Sequence, residues 1–131
     1  MKRILFYLFC FFSFQNLVAQ DLSMVNDEIV EYNTVDVRPE FPSTYSNFMD
    51  FVSKNFALPD YEGPTGTLKV GFVIEASGVV SSVKILKSLD TSSSAEIKKV
   101  MAKCPQWKPG EQNGKPVRVY YEFSLKIMSQ S

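Results

Sequence analysis

Residues Pro105–Ile127 read PQWKPGEQNGKPVRVYYEFSLKI, and their second half alternates between apolar and polar side chains. The apolar set is Val117, Val119, Tyr121, Phe123, Leu125 and Ile127, and the polar set is Arg118, Tyr120, Glu122, Ser124 and Lys126. Because successive side chains of a strand point to opposite faces of a sheet, this pattern predicts a half-buried β-strand. Little chain follows, so we expect the strand at a sheet edge, where unpaired backbone groups are a template for another strand.

An amphipathic helix is predicted just before this segment, over about Ser94–Lys103. Its apolar stripe consists of Ile97, Val100, Met101 and Cys104. Ser93 and Glu96 have the spacing of a capping box, in which a hydroxyl and a carboxylate satisfy backbone N–H groups at the helix start. Pro105 ends the helix because its ring cannot continue the hydrogen-bond pattern.

Two further alternating segments predict a β-hairpin. The first is Thr67–Glu75, in which Leu68, Val70, Phe72 and Ile74 share one face. The second is Val80–Leu89, with matching apolar residues at Val83, Ile85 and Leu89. Gly78 lies in the short connection, where a residue free to adopt a positive φ is favoured.

A first helix is predicted over Ser43–Phe56, with Ser43 near its N-cap and Leu58-Pro59 after its end. Its stripe at helical spacing consists of Tyr45, Phe48, Met49, Val52 and Phe56. The order helix, strand, strand, helix, strand predicts an α+β two-layer sandwich, with a three-stranded antiparallel sheet packed on two helices.

The N-terminal residues are predicted to lie outside this domain. Residues 1–20 have a basic start, an apolar run and small residues near Ala19, as in a secretory signal peptide that is cleaved within Ala19 to Asp21. The alternative is an uncleaved membrane anchor. Residues 21–38 are interpreted as a flexible acidic lead-in with a short strand near Thr34–Val37, residues 39–128 as the domain, and residues 129–131 as a tail.

The composition argues against several classes of function. The chain has no histidine, which excludes Ser-His-Asp catalysis and histidine metal sites. Loss of Lys2 and Arg3 with the signal leaves 12 basic and 14 acidic residues, a balance without the positive footprint of a nucleic-acid-binding protein. Cys104 is then the single cysteine, and we expect it to be buried. We therefore expect that the protein is not an enzyme and that it binds no cofactor, metal or small-molecule substrate.

The order of these motifs resembles the C-terminal domain of TonB-type energy transducers, in the form common in Bacteroidetes. The resemblance covers residues 39–128 and is most specific at the end of the chain, in the P-x-W-x-P-G run and the G-K-P-V that follows. The matching segments are Arg38–Pro42, the helix ending at Leu58-Pro59, Gly66–Ile74, Ser77–Val80, Val83–Asp90, Pro105–Gly110 and Asn113–Val117.

This resemblance implies a periplasmic binding module for outer-membrane transporters. In the family, the final strand captures a short N-terminal segment of the transporter, the TonB box, as an added strand. Carried onto this chain, the partner-binding residues are Val117, Arg118, Val119, Tyr120, Tyr121, Glu122, Phe123, Ser124 and Leu125.

Family transducers also keep a membrane helix and a long Pro-rich spacer, and neither is predicted here. The first interpretation is therefore a short, exported module that is accessory to TonB-dependent transport. Two alternatives remain at this point: a membrane-tethered short transducer, and a structural homodimer that pairs through the final strand and binds no transporter.

Overall fold

The chain forms an α+β fold in the computed structural model, which describes residues 28–130. In chain order the elements are β1 (Ile29–Glu31), α1 (Phe48–Asn55), β2 (Gly66–Ile74), β3 (Val80–Lys87), α2 (Thr91–Ala102), β4 (Gly110–Gln112) and β5 (Lys115–Ile127). Side chains from both helices and from the long strands share one buried core. The predicted fold class, two helices packed on a sheet, is therefore confirmed, while the predicted signal peptide lies outside the described residues.

Three long strands form most of the sheet. β2 pairs antiparallel with β3 on one side and with β5 on the other, in a continuous register with β5 from Gly66↔Ile127 to Ile74↔Val119. Two short strands extend this predicted set: β4 forms a hairpin with the start of β5, and β1 runs parallel to β5 along Arg118–Tyr120. The strand order β1-β5-β2-β3 places β5 inside the sheet along those residues, although we expected it at the edge over its whole length.

The short strand of the lead-in lies earlier in the chain than predicted. It occupies Ile29–Glu31, whereas Val37 makes only an isolated bridge to Glu111. A turn closes directly after β1, since the Val35 N–H donates to the Glu31 carbonyl at 3.1 Å. This turn buries Val35 in a small apolar cluster with Val117 and Val119 of β5, and the predicted segment forms no strand there.

An aromatic cluster packs β5 against α1. The ring centroid of Phe48, on α1, lies 5.4 Å from that of Phe72, 5.2 Å from that of Trp107 and 5.0 Å from that of Phe123. Aromatic pairs at such distances stabilise a core beyond the apolar area that they bury. Because Phe72 and Phe123 come from paired strands, the cluster holds the β2–β5 register in place.

Both helices begin at residues other than the predicted ones. α1 has Asn47 as its N-cap, with the side-chain oxygen accepting from the Asp50 N–H at 2.8 Å, so the predicted start at Ser43 is wrong. α2 has Asp90 as its N-cap, accepting from the Ser93 N–H at 3.1 Å. The predicted capping box is therefore also wrong. The aspartate takes the capping role three residues earlier, Ser93 is buried inside the first turn, and Glu96 accepts from the Ala57 N–H instead.

Candidate strand-addition edge

The outer edge of β5 has unpaired backbone groups at alternate residues. The Tyr32 N–H donates to the Tyr120 carbonyl at 3.1 Å, so the backbone of Tyr120 faces away from β2. Because the backbone groups of a strand alternate in direction and the β2–β5 register has no break, those of Glu122, Ser124 and Lys126 face the same way. Among residues 28–130, no strand pairs with this side of β5 beyond Tyr120. We call Tyr121–Ile127 the open edge.

The nine residues predicted to bind a partner fall into three groups along β5. Val117 is buried and pairs with Gly110 of β4. Arg118, Val119 and Tyr120 pair with β1. The last group forms the start of the open edge and consists of Tyr121, Glu122, Phe123, Ser124 and Leu125. The structure thus brings all nine onto one strand, but within the described chain only the last five have no strand paired on their outer side.

The opposite edge of the sheet is shaped differently. β3 pairs only with β2 within residues 28–130, but its register shifts twice, and Ser82 has a φ of 52°. Bulges of this kind bend a strand and increase its twist, which makes it a poor template for a further strand. The regular edge is therefore that of β5.

Polar side chains cover the solvent-exposed face of the sheet where the open edge begins. The Tyr120 hydroxyl donates to Glu122 Oε1 at 3.0 Å, and Lys69 Nζ lies 3.3 Å from Glu122 Oε2. Desolvation and then the Glu122 carboxylate raise the pKa of the Tyr120 hydroxyl, so it stays protonated at neutral pH. The face presents a neutral hydroxyl and a paired carboxylate to an approaching strand.

Two cavities meet where β1 ends and the open edge begins. A cavity of about 510 Å³ lies between the lead-in and the start of α1, and its walls include Tyr32, Phe48, Trp107 and Tyr121. A second cavity of about 380 Å³ lies on the side of Glu31 and Glu122. Tyr32 and Tyr121 line both cavities, and their ring centroids lie 4.6 Å apart in an edge-to-face contact. Sequence reasoning missed Tyr32, because a single aromatic residue in an acidic segment has no periodic signal.

Arg118 connects β5 to the β2–β3 turn. Its Nε lies 2.9 Å from Glu75 Oε1, and the Ser81 hydroxyl donates to Glu75 Oε2 at 2.8 Å. Partial burial raises the pKa of the Glu75 carboxyl, but the hydrogen bonds from Arg118 and Ser81 outweigh that effect, so the pKa lies below its ordinary value of 4.5. The ion pair is therefore intact at neutral pH.

We expect this ion pair to make stability depend on acid pH. A carboxyl group whose pKa is lowered by folding stabilises the folded state above its unfolded pKa, and loses this effect as the pH falls through the folded pKa. Glu75→Gln should therefore reduce the free energy of unfolding by less than about 1 kcal/mol at neutral pH, since the pair is partly solvent-screened. Urea unfolding well below pH 4.5 should show no difference between variant and wild type. A difference that stays constant with pH would contradict this account.

Residues 28–130 contain no group of three or more metal-ligating side chains. No helix in that range has the length and apolar character needed to cross a bilayer. Cys104, expected to be buried, is half-buried just after α2; its Sγ accepts from Trp107 Nε1 at 3.4 Å, and desolvation raises the pKa of the thiol.

Comparisons with known proteins found a matching family and a similar solved structure. The family described as Gram-negative bacterial TonB protein C-terminal matches residues 60–126, the range from the loop before β2 to near the end of β5. No curated protein matches the chain. Among solved structures, the solution NMR structure of the Pseudomonas aeruginosa TonB CTD matches with 21% identity and a TM-score of 0.42, over 79% of this chain and 99% of that one.

Proposed function

We propose that this chain, which belongs to the family of Gram-negative bacterial TonB protein C-terminal domains, captures an extended segment of an outer-membrane transporter on β5. Family membership supports a role in TonB-dependent transport. The finer proposal is that binding occurs by strand addition. The observation that carries it is the regular edge of β5, where Glu122, Ser124 and Lys126 turn their backbone groups outward.

Strand addition at this edge uses backbone groups for affinity and side chains for selectivity. Five or six new hydrogen bonds at about 0.5–1.5 kcal/mol each give roughly 3–9 kcal/mol before the cost of association is subtracted. Binding is therefore weak and reversible, which suits a module that engages and releases transporters.

The place of action that fits this role is the periplasm. TonB C-terminal domains are periplasmic in Gram-negative bacteria, and we propose that residues 1–20 direct export and are cleaved within Ala19 to Asp21. The mass of the protein recovered from the periplasm tests this: cleavage removes about 20 residues. Recovery of the uncleaved chain from the membrane would favour the membrane-tethered short transducer instead.

Calorimetric titration tests the proposed function directly. The ligand is a synthetic peptide from the N-terminal segment of a TonB-dependent transporter of the same organism. The control is the same peptide with alternate backbone nitrogens methylated, which keeps the side chains but removes donors to β5. We expect weak binding of the first peptide and none of the second. Equal binding of both, or a stable dimer that binds neither, would overturn the proposal and favour the structural homodimer.

A further inference from the structure

Resting on the proposed function, we infer that β1 is a resident strand which a visiting strand displaces, and that the visitor resembles β1. The visitor runs parallel to β5, with an apolar side chain in the place of Val30 and an aromatic one in the place of Tyr32. The observation behind this inference is that β1, a strand of the same chain, already pairs with part of the β5 edge that a partner would use.

β1 and a visitor compete for the same backbone groups. The outward-facing residues of β5 begin with Arg118 and Tyr120, and β1 lies against both. β1 then turns away from the sheet, because the Glu31 carbonyl accepts from the N–H groups of Thr34 and Val35 at 3.0 and 3.1 Å. A visitor that stays extended continues past this point and pairs with Glu122, Ser124 and Lys126 as well. It therefore gains hydrogen bonds that β1 cannot make.

β1 is a short strand, and the chain after it is held in place from Val35 onward. It has three residues, of which Ile29 is 45% exposed, Glu31 is exposed and only Val30 is half-buried. The chain is fixed again at Val35, which is buried, and at Asp36, whose N–H donates to Gln112 Oε1 at 2.9 Å. The segment up to Tyr32 can thus leave the sheet without disturbing the main core.

The side chains of β1 indicate what a visitor should carry. Val30 packs on the small cluster of Val35, Val117 and Val119. Tyr32 lies edge-on to Tyr121 and forms a wall of both cavities described above. When Tyr32 leaves, it vacates the space beside the Tyr121 ring, and an aromatic side chain two residues after an apolar one fits that space. Parallel pairing places such residues on the face of β5 that carries Val119 and Tyr121.

The test uses a synthetic peptide, EIVEYTVTVT, which copies residues 28–32 and continues as an extended segment. It is titrated into the whole exported chain and into two variants, with amide NMR as the readout. Val30→Pro removes an N–H that faces β5, because Val30 lies two residues before Tyr32 in the same strand. Ile29→Pro is the matched control, since its N–H faces away. Val30→Asn, which keeps the backbone and removes the apolar contact, serves if the proline variant unfolds.

We expect the peptide to bind the Val30→Pro chain about threefold to tenfold more tightly than wild type, because more of the chain has a free edge. Ile29→Pro should stay close to wild type. In the wild-type chain, saturation should move the amide signals of Val30 and Tyr32 while those of Val35 and Val37 remain. A peptide with alanine in place of the valine and the tyrosine that copy Val30 and Tyr32 should bind at least about tenfold more weakly.

Three results would overturn this inference. Equal affinity for all chains, with shifts that begin only at Glu122, would mean that a strand adds beside β1; the proposed function would then stand. Binding of transporter segments without binding of EIVEYTVTVT would mean that the bound segment does not resemble β1. If neither kind of peptide binds, the proposed function fails together with the inference.

Discussion

The substitution Ser124→Pro is expected to weaken strand addition strongly and leave the fold intact. The Ser124 N–H faces outward on the open edge, so proline removes no hydrogen bond to β2. It does remove a donor that a visiting strand needs, and its ring occupies the position that the visitor's backbone would take. The loss of one bond plus this obstruction should weaken binding of a transporter segment by more than about tenfold.

Ser124→Ala is the matched control, because it removes the hydroxyl and retains the backbone N–H. It should bind the segment with the wild-type affinity, and both variants should keep the wild-type unfolding midpoint in urea. Tight binding by the proline variant would show that the visitor does not use this edge.

A second large effect is expected on stability from Gly78→Ala. Gly78 has a φ of 91°, and a Cβ built there would lie 1.9 Å from the Trp107 carbonyl oxygen. The contact is close because the Trp107 N–H donates to the Gly78 carbonyl at 2.9 Å, which joins the β2–β3 turn to the segment before β4. A left-handed backbone conformation costs about 1–2 kcal/mol for a residue with a side chain. Because the displacement of buried Trp107 adds to this cost, we expect the free energy of unfolding to fall by about 2–4 kcal/mol.

Gly114→Ala separates the two causes of this loss. Gly114 also has a positive φ, of 75°, but no atom lies within 4 Å of a Cβ built there. Its substitution should cost about 1 kcal/mol, the backbone contribution alone. Urea unfolding followed by Trp107 fluorescence measures both variants. Equal losses would mean that the contact with Trp107 does not constrain the turn.

The long strands were predictable because their apolar residues alternate over many positions. In β5 the exposure of side chains alternates as the sequence indicates, from buried Val117 to buried Ile127. The helix starts were less predictable, since several polar residues near each start compete to cap it. Asn47 and Asp90 are the N-caps because their side chains accept hydrogen bonds from the N–H groups three residues later.

The candidate site was predictable only as a strand. Which backbone groups of β5 face outward depends on its register with β2, and no feature of residues 115–127 fixes that register. The presence of β1 on Arg118–Tyr120 is a tertiary effect of the same kind. A three-residue strand shows too little alternation to be recognised, and its pairing depends on a distant partner.

We expect β5, and not β3, to receive a partner strand. An amide NMR titration of residues 21–131 with a transporter N-terminal segment tests it most directly. We expect the largest shifts at the outward-facing amides of Glu122, Ser124 and Lys126, with little change along Val80–Lys87. Shifts concentrated on Val80–Lys87, or flat spectra at millimolar peptide from a stable dimer, would contradict it.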